Sequence, residues 1–492
     1  MGEFIGRLND IVWSPALVIL ILALGLFFTI ATRFIHFRYI KDMFILTFTG
    51  GKSEAGISSF QALSMSLGSR IGIGNIAGVA TAITLGGPGS IFWMWILAFF
   101  SASIAFIETT LAQVYKVKQD GEYRGGVPYY IDKGLKKKWF AILFAIVTMI
   151  SMTLLVPGIQ VNTIALSLDD AFGITPAITG IFLVILLAAV IFGGVKRIAK
   201  TAETIVPVMA IGYIIVCLVI LAVNFTAIPD VLSLIVSSAI NPDAAFGGII
   251  GSAIVWGVQR GAFSNAAGFG SETFETGAAE VSHPVKQGLV QALSVYITTL
   301  VICSATAFMV LITGMYNVQL GDGTMVENNI GAVEAGSNNV QLSVETILPG
   351  LGGPFVAVAI FFFAFTSLIT YSYKAETSLA YLNRNRKKKL LWPLTVLKCG
   401  LLITVLYNST NSAALAWSFG DLGFGVMAWL NMIALIFLTK PALKAVKDYD
   451  KQKKQGKDPV FDSEKAGIEN ADFWKSEQKE SAQPAKKDRK VV

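Results

Sequence analysis

A short motif that occurs twice contains the residues most suited to bind a small ligand. Residues 70–78 read Arg-Ile-Gly-Ile-Gly-Asn-Ile-Ala-Gly, and residues 260–268 read Arg-Gly-Ala-Phe-Ser-Asn-Ala-Ala-Gly. Both copies interrupt long apolar stretches, where glycine lets the backbone leave a helix. An unwound segment exposes N–H groups that can hold a carboxylate and carbonyl groups that can hold an ammonium group or Na⁺. The two copies therefore predict one binding site for a small zwitterion and a cation.

The glycines of the two copies allow two interpretations. The first is backbone unwinding, which we predict at Gly68, Gly72, Gly74, Gly78, Gly261, Gly268 and Gly270. The second is close helix packing, since small residues let membrane helices approach one another. Either copy alone leaves both interpretations open, and the matched positions favour the binding site. A dinucleotide-binding fingerprint is excluded, because the glycine spacing and the strand-helix context that it requires are both missing.

The composition places the chain in a lipid bilayer. Hydrophobic residues make up 54% of the 492 residues, the mean hydropathy is +0.63, and 14% of the residues are charged, whereas soluble domains carry about 25% charge. The net charge is +7, but the basic residues lie between apolar stretches and near the C-terminus. We therefore predict no nucleic acid partner. Three cysteines and two histidines predict neither a disulfide framework nor a zinc site.

Eleven apolar stretches are long enough to cross a membrane, which takes about 20 residues. They cover residues 11–32, 58–84, 90–115, 139–167, 175–194, 203–224, 244–276, 287–313, 350–380, 390–407 and 412–439. The loops after the odd-numbered stretches hold 20 Lys and Arg residues before the C-terminal tail, and only Arg7 lies on the other side. Because basic loops stay in the cytoplasm, we predict a multi-pass plasma-membrane protein with its N-terminus outside and its C-terminus in the cytoplasm.

The motif positions divide the chain into two repeats. We predict a five-helix repeat over residues 58–224 and a second over 244–440, with an extra N-terminal helix and a loop in 1–57 and a charged tail in 441–492. An odd number of spans per repeat inverts the second copy, which is an arrangement typical of secondary transporters. The predicted fold is all-α, with 11 transmembrane helices and a discontinuous first helix in each repeat. The tail is expected to be disordered or partly helical on the membrane surface.

Four basic residues fall inside the predicted spans, where a charge is costly and is a functional candidate by default. They are Arg70, Arg260, Lys374 and Lys398. Arg70 and Arg260 lie in the two motifs and are predicted gating residues. Their candidate partners are Glu108, Glu272, Glu376 and Asp421. Static pairs that hold the broken helices are an equally weighted alternative. Lys374 is expected near a helix end, and Lys398 is expected to extend towards the membrane surface.

Several uncharged polar residues complete the candidate site. Thr366 and Ser367 are adjacent hydroxyls in an aromatic run, and hydroxyl oxygens can complete a Na⁺ shell made of carbonyl groups. Bonding back to their own helix is the competing interpretation. Gln160 follows a Pro-Gly pair in the fourth span and could contact a substrate or a neighbouring helix. The second motif carries Phe263 and Ser264, which suggest a wall of side chains rather than a backbone cradle.

These residues lie in segments that closely resemble the alanine or glycine:cation symporter family, also called the sodium:alanine symporter group. The resemblance covers nearly all of the membrane region. Its most specific segments are residues 72–83, 86–89, 92–95, 125–131, 260–268 and 362–366, which read Gly-Ile-Gly-Asn-Ile-Ala-Gly-Val-Ala-Thr-Ala-Ile, Gly-Gly-Pro-Gly, Phe-Trp-Met-Trp, Gly-Gly-Val-Pro-Tyr-Tyr-Ile, the second motif, and Phe-Phe-Ala-Phe-Thr.

The resemblance implies a leucine-transporter-like fold and Na⁺-coupled uptake of small neutral amino acids such as alanine, glycine or glutamine, in a plasma membrane that is expected to be bacterial. We assign the substrate to Gly72, Gly74, Asn75, Gln160, Phe263, Ser264, Asn265 and Thr370. The cation is assigned to Gly72, Thr366 and Ser367. No cofactor is predicted, sodium is the only metal, and the partners are the amino acid, Na⁺ and membrane lipid.

Departures from the family pattern keep the substrate open. The chain has Ile73 where the family usually has Thr, Ala266 where it usually has Glu, and Thr370-Tyr371 where it usually has Gly-Trp. The alternative function is an H⁺-coupled transporter or an exchanger of the same fold, with Glu108, Glu272 or Glu376 carrying the proton. A channel is a third possibility. An enzyme is not predicted, because no cluster with catalytic spacing is present and the loops are short.

Overall fold

The computed structural model describes residues 2–49, 51, 53, 55–240, 247–319, 323–333, 335–386 and 391–476. The start of the predicted seventh span, residue 390 of the tenth and residues 477–492 of the tail lie outside this described part. Helices dominate it, as predicted. Two short antiparallel hairpins are the exception to an all-α structure: β1 (Val117–Gln119) pairs with β2 (Glu122–Arg124), and β3 (Asn317–Gln319) pairs with β4 (Met325–Asn328).

The first half of the chain contains thirteen described α-helices. They are α1 (Gly2–Val12), α2 (Pro15–Ala31), α3 (Ile35–Arg38), α4 (Ile40–Phe48), α5 (Ser59–Arg70), α6 (Ile73–Gly86), α7 (Gly89–Val114), α8 (Val127–Tyr130), α9 (Lys138–Ile150), α10 (Pro157–Phe172), α11 (Pro176–Ile191), α12 (Gly194–Val223) and α13 (Ile228–Ile240). Two π-helical turns, Ile131–Leu135 and Ser151–Leu155, follow α8 and α9, and the 3₁₀ turn Phe225–Ala227 precedes α13.

The second half contains eight described α-helices. They are α14 (Gly247–Asn265), α15 (Thr273–Gly277), α16 (Pro284–Tyr296), α17 (Ser304–Ile312), α18 (Ser337–Ile347), α19 (Gly352–Leu382), α20 (Leu391–Asn408) and α21 (Ala413–Lys454). The π-helical segment Ile297–Cys303 joins α16 to α17. The outer loop predicted between the eighth and ninth spans thus contains the β3–β4 hairpin and α18.

Helices occupy the predicted spans, although not always as one long helix. Seven described helical stretches are long and apolar enough to cross a membrane, and α11 and α20 are shorter apolar helices at the fifth and tenth predicted spans. The second and seventh spans are each divided into two helices, α5–α6 and α14–α15. The number of eleven crossings and the repeat boundaries stay predictions. The helix α13 lies in a segment that the sequence analysis treated as a connector.

The core forms around α7, which packs against α2, α14 and α16, while α10 packs against α19 and α5 packs against α12 and α19. Small residues permit this close approach, as is usual between membrane helices. A Cβ atom on Gly25 would lie 2.6 Å from Phe100 Cβ, and one on Gly257 would lie 2.5 Å from the Ser90 carbonyl oxygen. The outer side of α11 instead exposes Ile178, Ile181 and Ile185, a stripe suited to lipid.

The described part of the tail, residues 441–476, is partly helical as expected, but it lies on the helix bundle and is not disordered. The helix α21 continues past residue 440 to Lys454, and residues 455–476 fold back onto the bundle. Phe461 and Trp474 are buried, the Phe461 N–H donates to the Ser282 carbonyl at 2.9 Å, and Trp474 Nε1 donates to the Gln113 carbonyl at 3.0 Å. The average composition of the tail does not reveal Phe461 and Trp474. These two aromatic residues are sufficient to anchor the tail, because the bundle supplies the rest of the apolar surface.

Candidate functional site

The first break separates α5 from α6 by only two residues, Ile71 and Gly72. A capping box begins α5, since the Ser58 hydroxyl accepts from the Gln61 N–H and the Gln61 side chain accepts from the Ser58 N–H, both at 3.1 Å. Gly72 then caps α6 in an extended conformation. The carbonyl end of α5 and the N–H end of α6 therefore meet at one point, with opposite partial charges.

The second break is longer and uses left-handed backbone. Residues 266–272 between α14 and α15 are not helical, and Ala266, Gly268 and Gly270 have φ angles of 50°, 90° and 71°. The prediction of unwinding is correct for Gly268 and Gly270. It is wrong for Gly261, which lies inside α14, where a Cβ atom would meet Leu97 Cδ2 at 2.9 Å. That glycine serves helix packing.

The first copy needs a similar correction. Gly68, Gly74 and Gly78 lie within α5 or α6, so Gly72 is the only glycine of that copy at the break. Gly68 lets α19, the helix that carries Thr366, approach α5. A Cβ atom added to Gly68 would lie 3.2 Å from Thr366 Cβ. Gly74 makes room for Phe263, whose Cδ1 atom would lie 2.9 Å from an added Cβ. Close packing and unwinding are thus both present within nine residues.

Replacing Gly270 with Ala is expected to lower stability by about 2–5 kcal/mol, because left-handed backbone costs an L-residue about 1–2 kcal/mol and overpacking costs about 1–3 kcal/mol more. An added Cβ would lie 2.3 Å from Val127 Cγ2. The matched control is Gly173→Ala, since Gly173 has a φ angle of 66° and open space around it. Thermal unfolding of both purified variants checks this expectation. Equal losses of stability would show that the contact with Val127 relaxes.

Two hydroxyl groups of α19 reach the carbonyl end of α5. Thr366 Oγ1 lies 3.0 Å from the Gly68 carbonyl oxygen and 2.9 Å from the Phe363 carbonyl oxygen of its own helix. Ser367 Oγ lies 3.0 Å from the same Gly68 oxygen and 3.1 Å from that of Phe363. All of these groups are buried. The structure therefore gathers four oxygen atoms, which are the ligand type that hard cations take.

Gln160 lies against the N–H end of α6. Its Oε1 atom accepts from the Ile73 N–H at 3.4 Å, and its Nε2 atom donates to the Tyr371 hydroxyl at 3.3 Å. The Gly72 N–H donates to the Arg70 carbonyl at 2.9 Å and to Asn75 Oδ1 at 3.3 Å. The two bonds of Gln160 are long, so an incoming carboxylate could replace them at small cost. Gly72 itself lies between the two groups of atoms, because an added Cβ would meet Ser367 Oγ at 2.9 Å and Gln160 Oε1 at 3.2 Å.

The second copy contributes Phe263 and Ser264 to the opposite wall. The Ser264 hydroxyl lies 3.0 Å from Cys303 Sγ, and Asn75 Nδ2 lies 3.3 Å from the same sulfur atom. Cys303 thus links the two broken spans. Its position at the end of the π-helical segment gave no local signal in the sequence, so Cys303 was not predicted as a site residue.

Asn265 and Thr370 were also predicted to bind the substrate, but their side chains bond other groups and not the break at Gly72. Asn265 Nδ2 donates to the Ser101 hydroxyl of α7 at 3.0 Å, and Asn265 Oδ1 accepts from the Ala267 N–H at 3.0 Å. The amide therefore caps the break. Thr370 Oγ1 donates to carbonyls of its own helix, 2.8 Å from Ser367 and 3.1 Å from Thr366. A substrate role for either residue is not supported by these contacts.

Arg260 pairs with Asp421, one of its predicted partners. Its Nη1 and Nη2 atoms lie 3.3 and 3.4 Å from the two carboxylate oxygens, and its guanidinium lies over the rings of Trp256 and Trp417 at 5.3 and 4.8 Å. Arg260 and Trp417 line a cavity of about 390 Å³, here called the vestibule, together with Ala77, Thr81, Asn162, Asp170 and residues 335–338. A larger cavity of about 930 Å³ lies elsewhere, between α4 and the tail.

Arg70 does not follow the same pattern. Its guanidinium donates to the Ser294 hydroxyl and to the Gln291 carbonyl, the latter at 3.4 Å, both on α16. Within the described residues it forms no ion pair shorter than 4 Å. The predicted direct pairing of Arg70 with Glu108, Glu272, Glu376 or Asp421 is therefore wrong. Glu376 instead pairs with Lys398 at 3.1 Å and lies 3.6 Å from Arg124.

Aromatic rings connect the vestibule to the break. Phe263 contacts Trp417 with ring centroids 5.5 Å apart and Phe424 with centroids 5.1 Å apart, and Phe424 lies 6.4 Å from Tyr371. Of these four aromatic residues, Phe263 alone was predicted to belong to the site. Trp417 and Phe424 flank Asp421 in α21, and Tyr371 follows Ser367 by one helical turn, so helical spacing was the signal available for them.

A model of the sodium:alanine symporter family matches residues 1–463 of the chain. The chain belongs to this family. Members of the sodium:alanine symporter family are multi-pass membrane transporters rather than enzymes, and the resemblance predicted from the motifs is confirmed.

Two curated relatives show how far the similarity extends within the family. The putative sodium/proton-dependent alanine carrier protein YrbD of Bacillus subtilis is 55% identical over 477 residues, which cover 97% of this chain and 98% of the relative. The probable sodium/glutamine symporter GlnT of the same organism is 41% identical, with 94% of this chain and 93% of the relative covered. The family member described here is thus similar along nearly its full length to carriers that are named for different amino acids.

A solved structure supports the fold alone. The manganese transporter of Eremococcus coleocola has a TM-score of 0.50 and 14% sequence identity, with 83% of this chain and 89% of that chain covered. At 14% sequence identity, this similarity gives no indication of what the protein binds.

Proposed function

We propose that the protein is a secondary active transporter that couples the uptake of a small neutral amino acid to Na⁺. The observation that carries this proposal is the convergence of Thr366, Ser367 and the Gly68 carbonyl on one side of Gly72, with Gln160 and the N–H end of α6 on the other. An anion site and a cation site that adjoin in this way suit a zwitterion and a sodium ion. Sodium/proton-dependent and sodium-named relatives support the coupling.

The two hydroxyls can serve Na⁺ without a large rearrangement. Each hydroxyl has one proton and lies within hydrogen-bond distance of the Gly68 and Phe363 carbonyls, and Ser367 Oγ also lies 3.4 Å from the Ser69 carbonyl. When both protons point to Phe363, the hydroxyl lone pairs and the Gly68 oxygen are free to face a cation. The α5 dipole adds partial negative charge at the same place. The cation is thus bound by oxygens that the fold already positions. Gly72 contributes no ligand side chain, and its lack of a Cβ atom leaves space beside Ser367 Oγ.

The substrate would lie beside Gly72 and Asn75, with its carboxylate on the N–H end of α6 and on Gln160. Gly74 and Phe263 restrict the room for the side chain of the substrate, since a Cβ atom added to Gly74 would lie 2.9 Å from Phe263 Cδ1. Small amino acids such as alanine and glycine fit this restriction best. Glutamine stays within the proposal because Ser264 and Cys303 offer polar atoms next to Phe263.

Access to the site would be controlled by Arg260 and Asp421 on the vestibule face. The ion pair, Trp417 and Phe263 lie between the vestibule and the break. The loop charges make this the outer face and leave the tail in the cytoplasm. A conformation with the pair broken would open the site to the outside.

Uptake by the purified full-length protein in liposomes tests the proposal. We expect saturable accumulation of alanine, glycine or glutamine that requires an inward Na⁺ gradient and stops when the gradient is collapsed. A pH gradient without Na⁺ tests the H⁺-coupled alternative. Absence of amino-acid uptake under every gradient would overturn the proposed function, and conductance without saturation would indicate a channel.

A further inference from the structure

Five ionisable side chains form a buried network beside the two breaks. Lys374 Nζ in the middle of α19 lies 2.9 Å from Glu272 Oε1, 3.5 Å from Glu275 Oε1 and 2.5 Å from the Ser69 hydroxyl. Arg70 interacts electrostatically with Glu272, Glu275 and Glu108. Glu108, Glu272, Glu275 and Lys374 have no exposed surface, and Arg70 is 2% exposed. Lys374 is therefore not a helix-end residue, and Glu275 was not selected from the sequence.

The network holds one more carboxylate than it holds cations. Arg70 and Lys374 carry two positive charges, whereas Glu108, Glu272 and Glu275 carry three negative charges when all are ionised. An uncompensated charge in a buried environment costs several kcal/mol. The described structure offers no third cation within this group, because the neighbouring charged groups are occupied in other pairs.

The surrounding charges balance among themselves. Arg124 of β2, which packs against α15, lies 2.9 Å from Glu122 and 3.6 Å from Glu376, and Lys398 lies 3.1 Å from Glu376. These four groups sum to zero. Beyond the end of α7, Lys116 donates to the Ala279 carbonyl at 3.0 Å and lies over the rings of Phe473 and Trp474. Glu280 follows Ala279 directly and places a carboxylate in that region.

We propose that Glu275 binds a proton and that this proton is a second ion handled during the transport cycle. Neither Glu275 oxygen accepts a hydrogen bond from another described residue. Lys374 lies closer to Glu272 than to Glu275, so one lysine charge faces two fully buried carboxyl groups, and a proton on Glu275 removes the excess negative charge. Glu272 is the ionised partner because it accepts bonds from Lys374, Ser271 and Ser69, at 2.9, 3.0 and 3.3 Å.

Glu108 is less suited to hold this proton. It accepts from Asn431 Nδ2 at 2.8 Å, and the same amide donates to the Gly268 carbonyl in the second break at 2.9 Å. That donated bond favours the ionised form of Glu108. The proton therefore falls to Glu275, which accepts no hydrogen bond from the described residues and has only Lys374 nearby, at 3.5 Å.

The proton site is connected to the proposed cation site by Ser69. The Ser69 hydroxyl bonds Lys374, while its carbonyl lies 3.4 Å from Ser367 Oγ. Glu272 and Glu275 belong to the second broken span, so movement of α15 would expose Glu275 to water and let the proton leave. Any such linkage is reciprocal, since an ion that changes the affinity for another ion is itself affected equally. This inference rests on the proposed symport function.

Simultaneous measurement of amino-acid uptake and proton movement tests the inference. The full-length protein is reconstituted into liposomes that contain a pH-sensitive dye, with alanine or glutamine as selected by the uptake panel. We expect wild type to move protons together with the amino acid. We expect Glu275→Gln to transport the amino acid without moving a proton and to lose the dependence of uptake on pH.

Glu108→Gln is the matched control and should keep proton movement. Loss of proton movement in Glu108→Gln but not in Glu275→Gln would overturn the assignment to Glu275. Sodium-driven uptake with no proton movement in wild type, or with equal movement in Glu275→Gln, would overturn the inference and leave the proposed function standing. Failure of all uptake would instead overturn the proposed function.

Infrared spectroscopy of wild type provides a test that needs neither transport nor a foldable variant. A buried protonated carboxyl group gives a carbonyl stretch that shifts in heavy water and is absent from ionised carboxylates. We expect this band at neutral pH. Its absence would show that all three carboxyl groups are ionised, which contradicts the proposed proton.

Discussion

Replacing Thr366 with Ala is expected to reduce sodium-driven uptake roughly ten- to hundredfold, because an interaction with a charged group is worth about 1.5–3 kcal/mol. The substitution removes one of two hydroxyl oxygens that face the Gly68 carbonyl at the end of α5. The concentration of Na⁺ that gives half-maximal uptake should rise more than the corresponding amino-acid concentration. Initial rates in liposomes over a range of Na⁺ concentrations measure both quantities.

Two control variants separate the loss of a ligand from the loss of stability. Thr366→Ser keeps the hydroxyl and should retain most of the uptake. Thr404→Ala makes the same chemical change in α20 and should leave the Na⁺ dependence unchanged, because among the described residues the buried Thr404 hydroxyl bonds only its own helix, 3.0 Å from the Gly400 carbonyl. If Thr366→Ala and Thr404→Ala behave alike, Thr366 does not bind the cation.

Replacing Asp421 with Asn is expected to open the vestibule side of the site. The variant leaves the Arg260 guanidinium buried without its carboxylate partner, and breaking a buried pair costs about 3–5 kcal/mol. If the pair exists only in the closed conformation, this cost shifts the equilibrium towards the open one. We then expect the reaction of Cys303 with a thiol reagent that does not cross membranes to accelerate at least about tenfold.

Cys303 is a native reporter for this experiment because it contacts Asn75 and Ser264 and is 2% exposed. Cys217 and Cys399 are replaced by Ala so that only Cys303 reacts. Asp170→Asn is the matched control, since Asp170 lines the same vestibule without bonding Arg260. A lower unfolding temperature in Asp421→Asn with no change in the labelling rate would indicate a static pair instead of a gate.

Local sequence signals were sufficient to locate the two breaks. Glycines at Gly72, Gly268 and Gly270 within apolar stretches predicted unwound backbone because a helix disfavours glycine and a membrane offers few other partners for free backbone groups. The adjacent hydroxyls of Thr366 and Ser367 and the amide of Gln160 were predicted to belong to the site because they are polar side chains within apolar spans. Their convergence on Gly72 is a finding of the structure, and the transport function proposed for them is a prediction that uptake experiments test.

Local sequence patterns do not predict the direction in which a side chain points. Thr370 lies one turn from Thr366 but bonds its own helix, and Asn265 turns towards Ser101 of α7. Rotation of a helix about its axis decides such outcomes, and that rotation depends on packing against helices far away in sequence. Periodicity identifies an apolar or polar face without stating which neighbour it meets.

Hydropathy, glycine placement and motif identity are properties of short segments, so the membrane environment, the positions of the breaks and the family could be predicted from the sequence. The folded structure was needed to establish that Arg260 pairs with Asp421, that Lys374 contacts Glu272 and Glu275, and that Trp474 anchors the tail on Gln113. Each of these contacts joins residues at least 99 positions apart. Opposite charges attract any partner of suitable sign, so the choice among several candidates is made by the packed helices that bring one of them within reach.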